Sequence, residues 1–315
     1  MGNVFGPVPS RRLGQSLGID PIPIKTCNWN CVYCQLGRSR PVVNERRVYI
    51  PAAQLLEEVE QALNNLGTEE LDWVTIVGSG EPTLNSELGE LVAGLKALTS
   101  YPVAVITNGA LFFEPEVRQS LLAADAVMPS LDAGDAEMYR KLNRPHPGVP
   151  FDKVVEGLVQ FREEYKGKYW MEVMLIDGLN DSEESLHAIA AQLERIKPDV
   201  VHISLPTRPP VEPWVKPASD EGILRALAIL GRTAEAIHPE AGRFVISAGQ
   251  DPTEAVLALV TRHPVSEEQL RASLPEGCPD CILEQLVAEG KARIVERYGT
   301  RFLTAAPSYF PDLAP

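Results

Sequence analysis

Short apolar runs alternate with amphipathic stretches along most of this chain, and that alternation restricts the fold more than any other feature. Leu71–Val77, Pro102–Thr107, Ala126–Leu131, Trp170–Ile176, Val200–Ser204 and Arg243–Ser247 read as buried strands. Between them, apolar residues recur at i, i+3 and i+4 over Ala52–Leu66, Ser86–Leu98, Glu116–Ala124, Asp152–Glu164, Ser182–Ile196 and Asp220–Ile237, the spacing of one buried helix face. Strands alternating with helices predict a parallel sheet with right-handed crossovers. With a further strand at about Leu17–Ile24, the repeats predict an α/β barrel or partial barrel whose site lies in the loops at the C-terminal ends of its strands.

After Gly249–Pro252 the alternation stops. Pro252–Val260, Ser266–Leu274 and Pro279–Glu289 read as three helices, followed by a hairpin with strands Ala292–Glu296 and Thr300–Thr304. Three helices and a hairpin resemble a winged helix. The expected organisation is a barrel over 1–249, a winged-helix domain over 250–305 and a poorly ordered tail over 306–315. A chain of 315 residues suits one large domain and one small one.

Cys27, Cys31 and Cys34 lie in a C-x3-C-x2-C run directly after the first predicted strand. Three thiolates within eight residues can converge on one inorganic centre. Iron–sulfur cubanes take four cysteine ligands as a rule, so three leave one iron open to a substrate or cofactor. A zinc site wants a fourth ligand, and the nearest histidine in sequence is His146. The remaining alternative is a set of buried thiols in a reducing compartment.

The triad, with Tyr33 before its last cysteine, resembles the signature of radical S-adenosylmethionine (SAM) enzymes. The resemblance implies a six-repeat partial TIM barrel, a 4Fe–4S cluster on Cys27, Cys31 and Cys34, and SAM bound at the open iron. It also implies an external electron donor of flavodoxin or ferredoxin type. Gly78-Ser-Gly-Glu-Pro-Thr-Leu84 is similar to the Gly-Gly-Glu-Pro motif of that superfamily, with Ser79 replacing a glycine. There Gly80 lets backbone approach a ligand, and Glu81 or the main-chain carbonyls beside it can accept from the SAM ammonium. Asn108 at the end of the third strand is a second candidate SAM contact, and a turn residue otherwise. Ser130 and Asp132 end the fourth strand, where the resemblance places ribose contacts; the alternative is an N-cap for a helix over Ala133–Leu142. Asn180, beyond Glu172 and the fifth strand, is a candidate adenine or substrate contact. The proline-rich loop Leu205–Trp214 offers Arg208 and Trp214 for substrate recognition, with Glu212 between them. His146 is a candidate proton-transfer or substrate-contacting residue, or incidental. Cys278 and Cys281 are a low-pKa dithiol, half a metal site or buried thiols.

The net charge of -14 makes the chain a poor general nucleic-acid binder. Residues 1–50 depart from this, with seven basic residues (Arg11, Arg12, Lys25, Arg38, Arg40, Arg46, Arg47) against Asp20 and Glu45. This island reads as a patch for an anionic substrate, for the SAM carboxylate or for an acidic reductant, or as solvated charge. Residues 250–315 hold ten acids and six bases, and the third helix carries Asp280, Glu284 and Glu289, so DNA reading by the winged helix is disfavoured. The N-terminal Phe5–Gly18 pattern and the cysteine loop resemble a branch of radical SAM proteins grouped with wyosine-forming tRNA-modifying enzymes. Those use a second cluster on further N-terminal cysteines, and no cysteine precedes Cys27. The substrate expectation is therefore divided between an RNA nucleotide and a peptide or small metabolite. With no long apolar run and no apolar leader, the expected location is cytoplasmic.

Overall fold

The computed structural model describes residues 2–66, 71–237, 244–246, 251–274 and 278–306. The chain opens with a hairpin of β1 (Val4–Ser10) and β2 (Gly14–Ile19). Strand β1 escaped the sequence pattern because Gly6, Pro7 and Pro9 lie within it. Proline cannot donate to a ladder, so such a run survives only at a sheet edge or bulge. β1 is both the edge of its sheet and irregular between Phe5 and Val8.

From β2 onward the predicted alternation holds. Helix α1 (Ala52–Asn65) leads to β3 (Trp73–Val77), and α2 (Leu88–Leu98) to β4 (Val103–Ile106). Helix α3 (Pro115–Leu121) leads to β5 (Ala126–Met128), and α4 (Ala136–Leu142) with α5 (Phe151–Glu164) to β6 (Lys168–Met174). Helix α6 (Glu183–Ile196), β7 (Val200–Ser204), α7 (Asp220–Leu230) and β8 (Ala234–Ala236) complete the series. Strands β2 to β8 are parallel and ordered as in sequence, with β1 added antiparallel at one edge. The result is an open, eight-stranded partial barrel.

Local chemistry sets the helix ends. Ser182 caps α6 by accepting from the Ser185 amide, and Glu183 and Glu184 favour its positive end. Its buried Leu186, Ile189, Leu193 and Ile196 repeat the i, i+3, i+4 spacing read from sequence. Helix α7 stops at Gly231, whose φ of 87° is costly for a residue with a side chain. The predicted helix over Asp220–Ile237 is thus cut short; among the described residues the last parallel strand is β8, and of the predicted strand Arg243–Ser247 the described part meets β1, where Val245 N donates to Pro7 O at 3.0 Å. Phe244–Ile246 carry no strand, and the two ends of that predicted strand lie outside the described residues.

The main core joins the outward faces of the strands (Ile76, Val105, Val127, Val173, Ile203) to the inward stripes of the helices (Leu55, Leu91, Leu158, Ile189). A smaller cluster of Leu13, Ala104, Ala126 and Met128 with Trp73 and Trp170 sits near where the strands begin. A third core forms among α8 (Pro252–Arg262), α9 (Glu267–Ser273) and α10 (Cys278–Ala288), and includes Phe5 of β1 and Phe244. There β9 (Val265–Ser266) pairs with β11 (Thr300–Ala305), and β11 with β10 (Ala292–Arg297), in an antiparallel sheet. The C-terminal elements thus pack against the N-terminal hairpin through Phe5 and Val8. The predicted tail from Pro307 lies outside the described residues.

Candidate active site

The loop from Asp20 to Ile50 has almost no regular structure, so its backbone groups must find partners elsewhere. They find them on the strand-end loops. Lys25 N donates to Ser79 O at 2.7 Å, and Glu81 N donates to Thr26 O at 2.9 Å. Asn30 N and Val32 N donate to Asn143 O and Leu142 O, each at 2.9 Å, and Val211 N donates to Cys34 O at 3.0 Å. Trp29 buries its ring edge-on against Tyr139, with centroids 5.4 Å apart. The cysteine loop is thereby fixed to the loops after β3 and β7 and to α4.

Cys27, Cys31 and Cys34 all line one cavity of about 390 Å³. The Trp29 amide donates to Cys27 Sγ at 3.4 Å, Asn143 Nδ2 to Cys31 Sγ at 3.6 Å, and Lys25 Nζ to Cys34 Sγ at 3.3 Å. Burial, reinforced by the Glu81 carboxylate, pushes the Cys27 thiol up to about 12. Burial and Asp132 push Cys31 well above its ordinary value. Thiols so placed remain protonated until a bound cation replaces their protons. Among the described residues, no three His, Cys, Asp or Glu side chains are grouped to hold a single metal ion. An iron–sulfur cluster takes its thiolates on separate irons. Three thiols lining one cavity supply the donor set of an iron–sulfur cluster that keeps one iron open.

The structure brings most of the sequence-predicted residues to this cavity. Gly80 lines it, and its lack of a side chain is required: a Cβ there would lie 1.9 Å from Thr26 O. Glu81 also lines it, but both its carboxylate oxygens are engaged. Oε1 accepts from Thr83 N (3.0 Å), Thr83 Oγ1 (2.6 Å) and Thr107 Oγ1 (2.5 Å), and Oε2 accepts from Asn108 N (2.7 Å). Its side chain clamps the β3 and β4 loops together. Asn108 Nδ2 donates to Asn28 Oδ1 at 2.7 Å and lies 3.9 Å from Cys27 Sγ.

Asp132 is not a helix cap; Asp135 caps α4 instead, accepting from the amides of Glu137 and Met138. Asp132 accepts from Tyr33 OH at 2.5 Å, Asn143 Nδ2 at 2.7 Å and Met174 N at 2.8 Å. Burial raises its carboxyl to about 6. The Tyr33–Asp132–Asn143 set joins the cysteine loop to β5 and α4. Ser130 lines the cavity beside it.

Three of the residues singled out in the sequence lie outside this cavity. Asn180 is fully buried and outside the cavity, because its amide is spent on Ile176 N, Asp132 O and Met174 O, bracing the turn after β6. Trp214 is 50% exposed and does not line the cavity. His146 accepts from its own turn, at the Gly148 amide (3.1 Å), and is likewise outside. Arg208 does line the cavity, whereas Glu212 binds Arg38 and Arg144 beyond it. Cys278 is half-buried against the C-terminal core and Cys281 is exposed, both at the start of α10.

The basic island divides. Arg11, Arg12 and Lys25 line the cavity, Arg12 pairing with Glu172 of β6. Arg38 serves Glu212, and Arg46 donates to Thr83 O. Sequence reasoning missed Gln35, His263 and Gln269 altogether. Gln35 and His263 meet across 228 positions of sequence, Nε2 to Nδ1 at 3.3 Å, a contact that no local pattern announces. Behind them Arg262 reaches buried Asp20 at 3.2 Å, and Asp20 accepts from the Ser79 amide and hydroxyl. The C-terminal elements therefore form part of the cavity wall.

Comparison with known proteins agrees with this geometry. Residues 22–190 match the radical SAM superfamily. A UPF0026 protein of Methanocaldococcus jannaschii is 36% identical over 305 residues, covering 95% of this chain and 94% of that protein. GTPase Obg of Brachyspira hyodysenteriae is 44% identical over 223 residues, 71% of this chain and 32% of that protein; the chain spans about a third of that relative's length. Among solved structures, a radical SAM methyltransferase from Sphaerobacter thermophilus shares the fold, with a TM-score of 0.53 at 19% identity over 70% of this chain and 66% of that one. No helix among the described residues is long and apolar enough to cross a membrane. The chain belongs to the radical SAM superfamily of enzymes and to the UPF0026 proteins.

Proposed function

We propose that this enzyme holds a 4Fe–4S cluster on Cys27, Cys31 and Cys34, binds SAM beside it, and abstracts a hydrogen atom from an organic substrate in the same cavity. The observation that carries this reading is the placement of three thiols and the loops after β3, β4 and β5 around one cavity. When bound, the cluster supplies the electron that splits SAM into methionine and a 5′-deoxyadenosyl radical.

The chain's own residues prepare the site for that chemistry. Asn143 and Lys25 donate toward two of the sulfurs and offset charge on them. The carbonyls beside Gly80 and Glu81 are the acceptors for the SAM ammonium, and Asn108 and Ser130 are polar contacts at the strand ends. Tyr33 and Asp132 hold the loop's orientation, since three donors from the cysteine loop, α4 and β6 already engage the Asp132 carboxylate. The barrel walls orient the reacting groups around one cavity, which is the protein's share of cofactor chemistry. The reading implies an external reductant of flavodoxin or ferredoxin type.

We read residues 250–305 as a winged-helix module that walls the cavity. Reading DNA is disfavoured because α10 presents Asp280 and Glu284, and Glu289 follows it. An RNA substrate with a large footprint is disfavoured by the net charge of -14. A small metabolite, or a single nucleotide or residue inserted into the cavity, suits its volume of about 390 Å³ better.

Anaerobic reconstitution with iron and sulfide tests the assignment. The expected result is a bound cluster seen by iron and sulfide analysis, and SAM conversion to 5′-deoxyadenosine on adding dithionite. A protein that takes up a single zinc and no sulfide would contradict it.

A further inference from the structure

The loop that carries the three thiols has an inner and an outer face, and the outer one is basic. Ser39 lines the cavity and is 2% exposed, whereas Arg38 and Arg40 on either side of it are exposed and outside the cavity. Two other segments are fastened to the same loop. The end of α4 meets it through Val32 N to Leu142 O and Asn30 N to Asn143 O. The loop after β7 meets it through Val211 N to Cys34 O and Glu212 N to Val32 O, the latter at 3.2 Å. Arg140 and Lys141 are exposed in the last turn of α4, and Arg144 follows them.

The charge of this face is one-sided. Residues 28–44 and 138–151 contain no acid, and residues 205–219 contain only Glu212. Glu212 is buried, and its Oε1 accepts from Arg38 at 2.9 Å and from Arg144 at 2.5 Å. The Trp214 indole donates to the same carboxylate. The two arginine side chains stay 44% and 36% exposed, and Trp214 stays 50% exposed. Arg40, Arg140 and Lys141 make no ion pair among the described residues. Glu137, one turn before Lys141, is the other acid close by, since Asp135 is spent capping α4. Five cations (Arg38, Arg40, Arg140, Lys141 and Arg144) thus stand against Glu212 and Glu137, on a chain whose net charge is -14.

The reaction proposed above takes an electron from outside. A carrier protein is too large for a cavity of about 390 Å³, so it must dock on the outside of the loop that bears the thiols. There the Cys34 carbonyl is one hydrogen bond from Val211, beside the Glu212 hub. Redox encounters bury little surface and take their orientation from complementary charge. An acidic carrier is repelled by most of this acidic chain and attracted at this face. The indole of Trp214, held by its hydrogen bond, offers a flat surface to the exposed edge of a flavin.

We propose that the outer face of the thiol loop, built from Arg38, Arg40, Arg140, Lys141, Arg144 and Trp214, is the docking surface for a small acidic electron carrier of flavodoxin type. This rests on the function proposed above, which supplies the electron acceptor. The step moves one electron from the carrier's reduced flavin, which is oxidised, to the bound cluster, which is reduced, and it forms or breaks no bond. It also separates two entrances, with the reductant on the outer face and SAM and substrate in the cavity.

The test uses the reconstituted full chain and a purified flavodoxin. Calorimetry measures binding of the oxidised flavodoxin, and stopped-flow absorbance follows electron transfer from the reduced one. The expected result is saturable binding and a reduction rate that both fall as salt is raised. The double variant Arg40→Glu with Arg140→Glu should weaken binding and slow reduction by about tenfold or more. Arg232→Glu, exposed on the turn before β8 at the end of the barrel away from the cysteine loop, should change neither. Reduction by dithionite, which needs no docking, should be the same in all three proteins. Absence of binding, binding indifferent to the double variant, or a rate that rises with salt would overturn the proposal. Equal losses with dithionite and with flavodoxin would also overturn it, because they would tie the arginines to cluster assembly. So would capture of a single-stranded RNA through the same arginines with flavodoxin reduction unaffected, which would make the face a nucleic-acid surface. Release of 5′-deoxyadenosine with dithionite keeps the two readings apart. Release without arginine-dependent flavodoxin binding overturns this surface alone, and arginine-dependent flavodoxin binding without release supports the surface while removing the radical function.

Discussion

Replacing Gly80 with alanine places one methyl group where the β3 loop and the cysteine loop cross. The added Cβ would lie 1.9 Å from Thr26 O and 2.6 Å from the carbonyl carbon. Those are backbone atoms, so no side-chain rotation relieves the clash. Separating the loops also lengthens the Glu81 N to Thr26 O hydrogen bond, now 2.9 Å. Overpacking costs about 1–3 kcal/mol and the hydrogen bond about 1 kcal/mol, so a loss of about 2–4 kcal/mol is expected. Gly94 in α2 is the control. Its added Cβ would come 2.4 Å from Leu56 Cδ1, the end of a flexible side chain, and alanine is the better helix former by about 1 kcal/mol. Urea unfolding of the reduced, metal-free proteins should therefore show a large loss for Gly80→Ala and a change within about 1 kcal/mol for Gly94→Ala. Iron uptake on reconstitution should fall in the first and not in the second. A Gly80→Ala protein as stable as wild type and fully loaded with iron would refute the crossing-loop argument.

Arg262→Leu leaves Asp20, 3% exposed, without its cation, and is expected to cost about 3–5 kcal/mol. The double variant with Asp20→Asn should cost less than the sum of the single changes, and strict additivity in denaturation would argue that the pair is uncoupled. Arg144 and then Arg38 hold Glu212 below the usual carboxylate range against burial. A depressed acid stabilises above its unfolded pKa and loses that contribution as pH falls through its folded pKa. Wild type should therefore lose more stability than Glu212→Gln on acidification below the usual carboxylate range. Equal pH dependence of the two melting temperatures would contradict this. Trp214→Ala should leave 5′-deoxyadenosine formation within about twofold, because the ring is exposed and outside the cavity. A tenfold drop would reinstate it as a site residue.

The parallel strands β3 to β7 were legible because each is an apolar run followed by a helix with a regular buried stripe, whereas β2, Gly14–Ile19, meets the predicted strand at about Leu17–Ile24 only over Leu17–Ile19. Even the helices of the C-terminal module declared themselves through caps such as Ser266 and the spacing of Val256, Leu259 and Val260. The exceptions have physical causes. Strand β1 hid behind its prolines, and β8 was absorbed into a helix that Gly231 ends. At the site, the cysteine spacing and the strand-end loops were legible as local patterns. The division of labour among them was not. Glu81 and Asp132 look like ligand contacts in sequence, yet their oxygens are taken by donors that come from other loops. Asn180 reads as a strand-end contact and instead braces its own turn. The Arg208–His263–Gln35 cluster depends on the docking of one module against another, which no periodicity encodes.

The central claim is that these three cysteines, acting together, make the site reductively active toward SAM. Its most direct test is 5′-deoxyadenosine release, by mass spectrometry, from anaerobically reconstituted wild type and from Cys27→Ala, Cys31→Ala and Cys34→Ala, each with SAM, dithionite and a small-molecule extract as a source of substrate. The account predicts release by wild type and none by any single variant, with iron binding lost in parallel. Release that persists in a variant, or intact SAM in a wild-type protein with its cluster fully loaded, would contradict it.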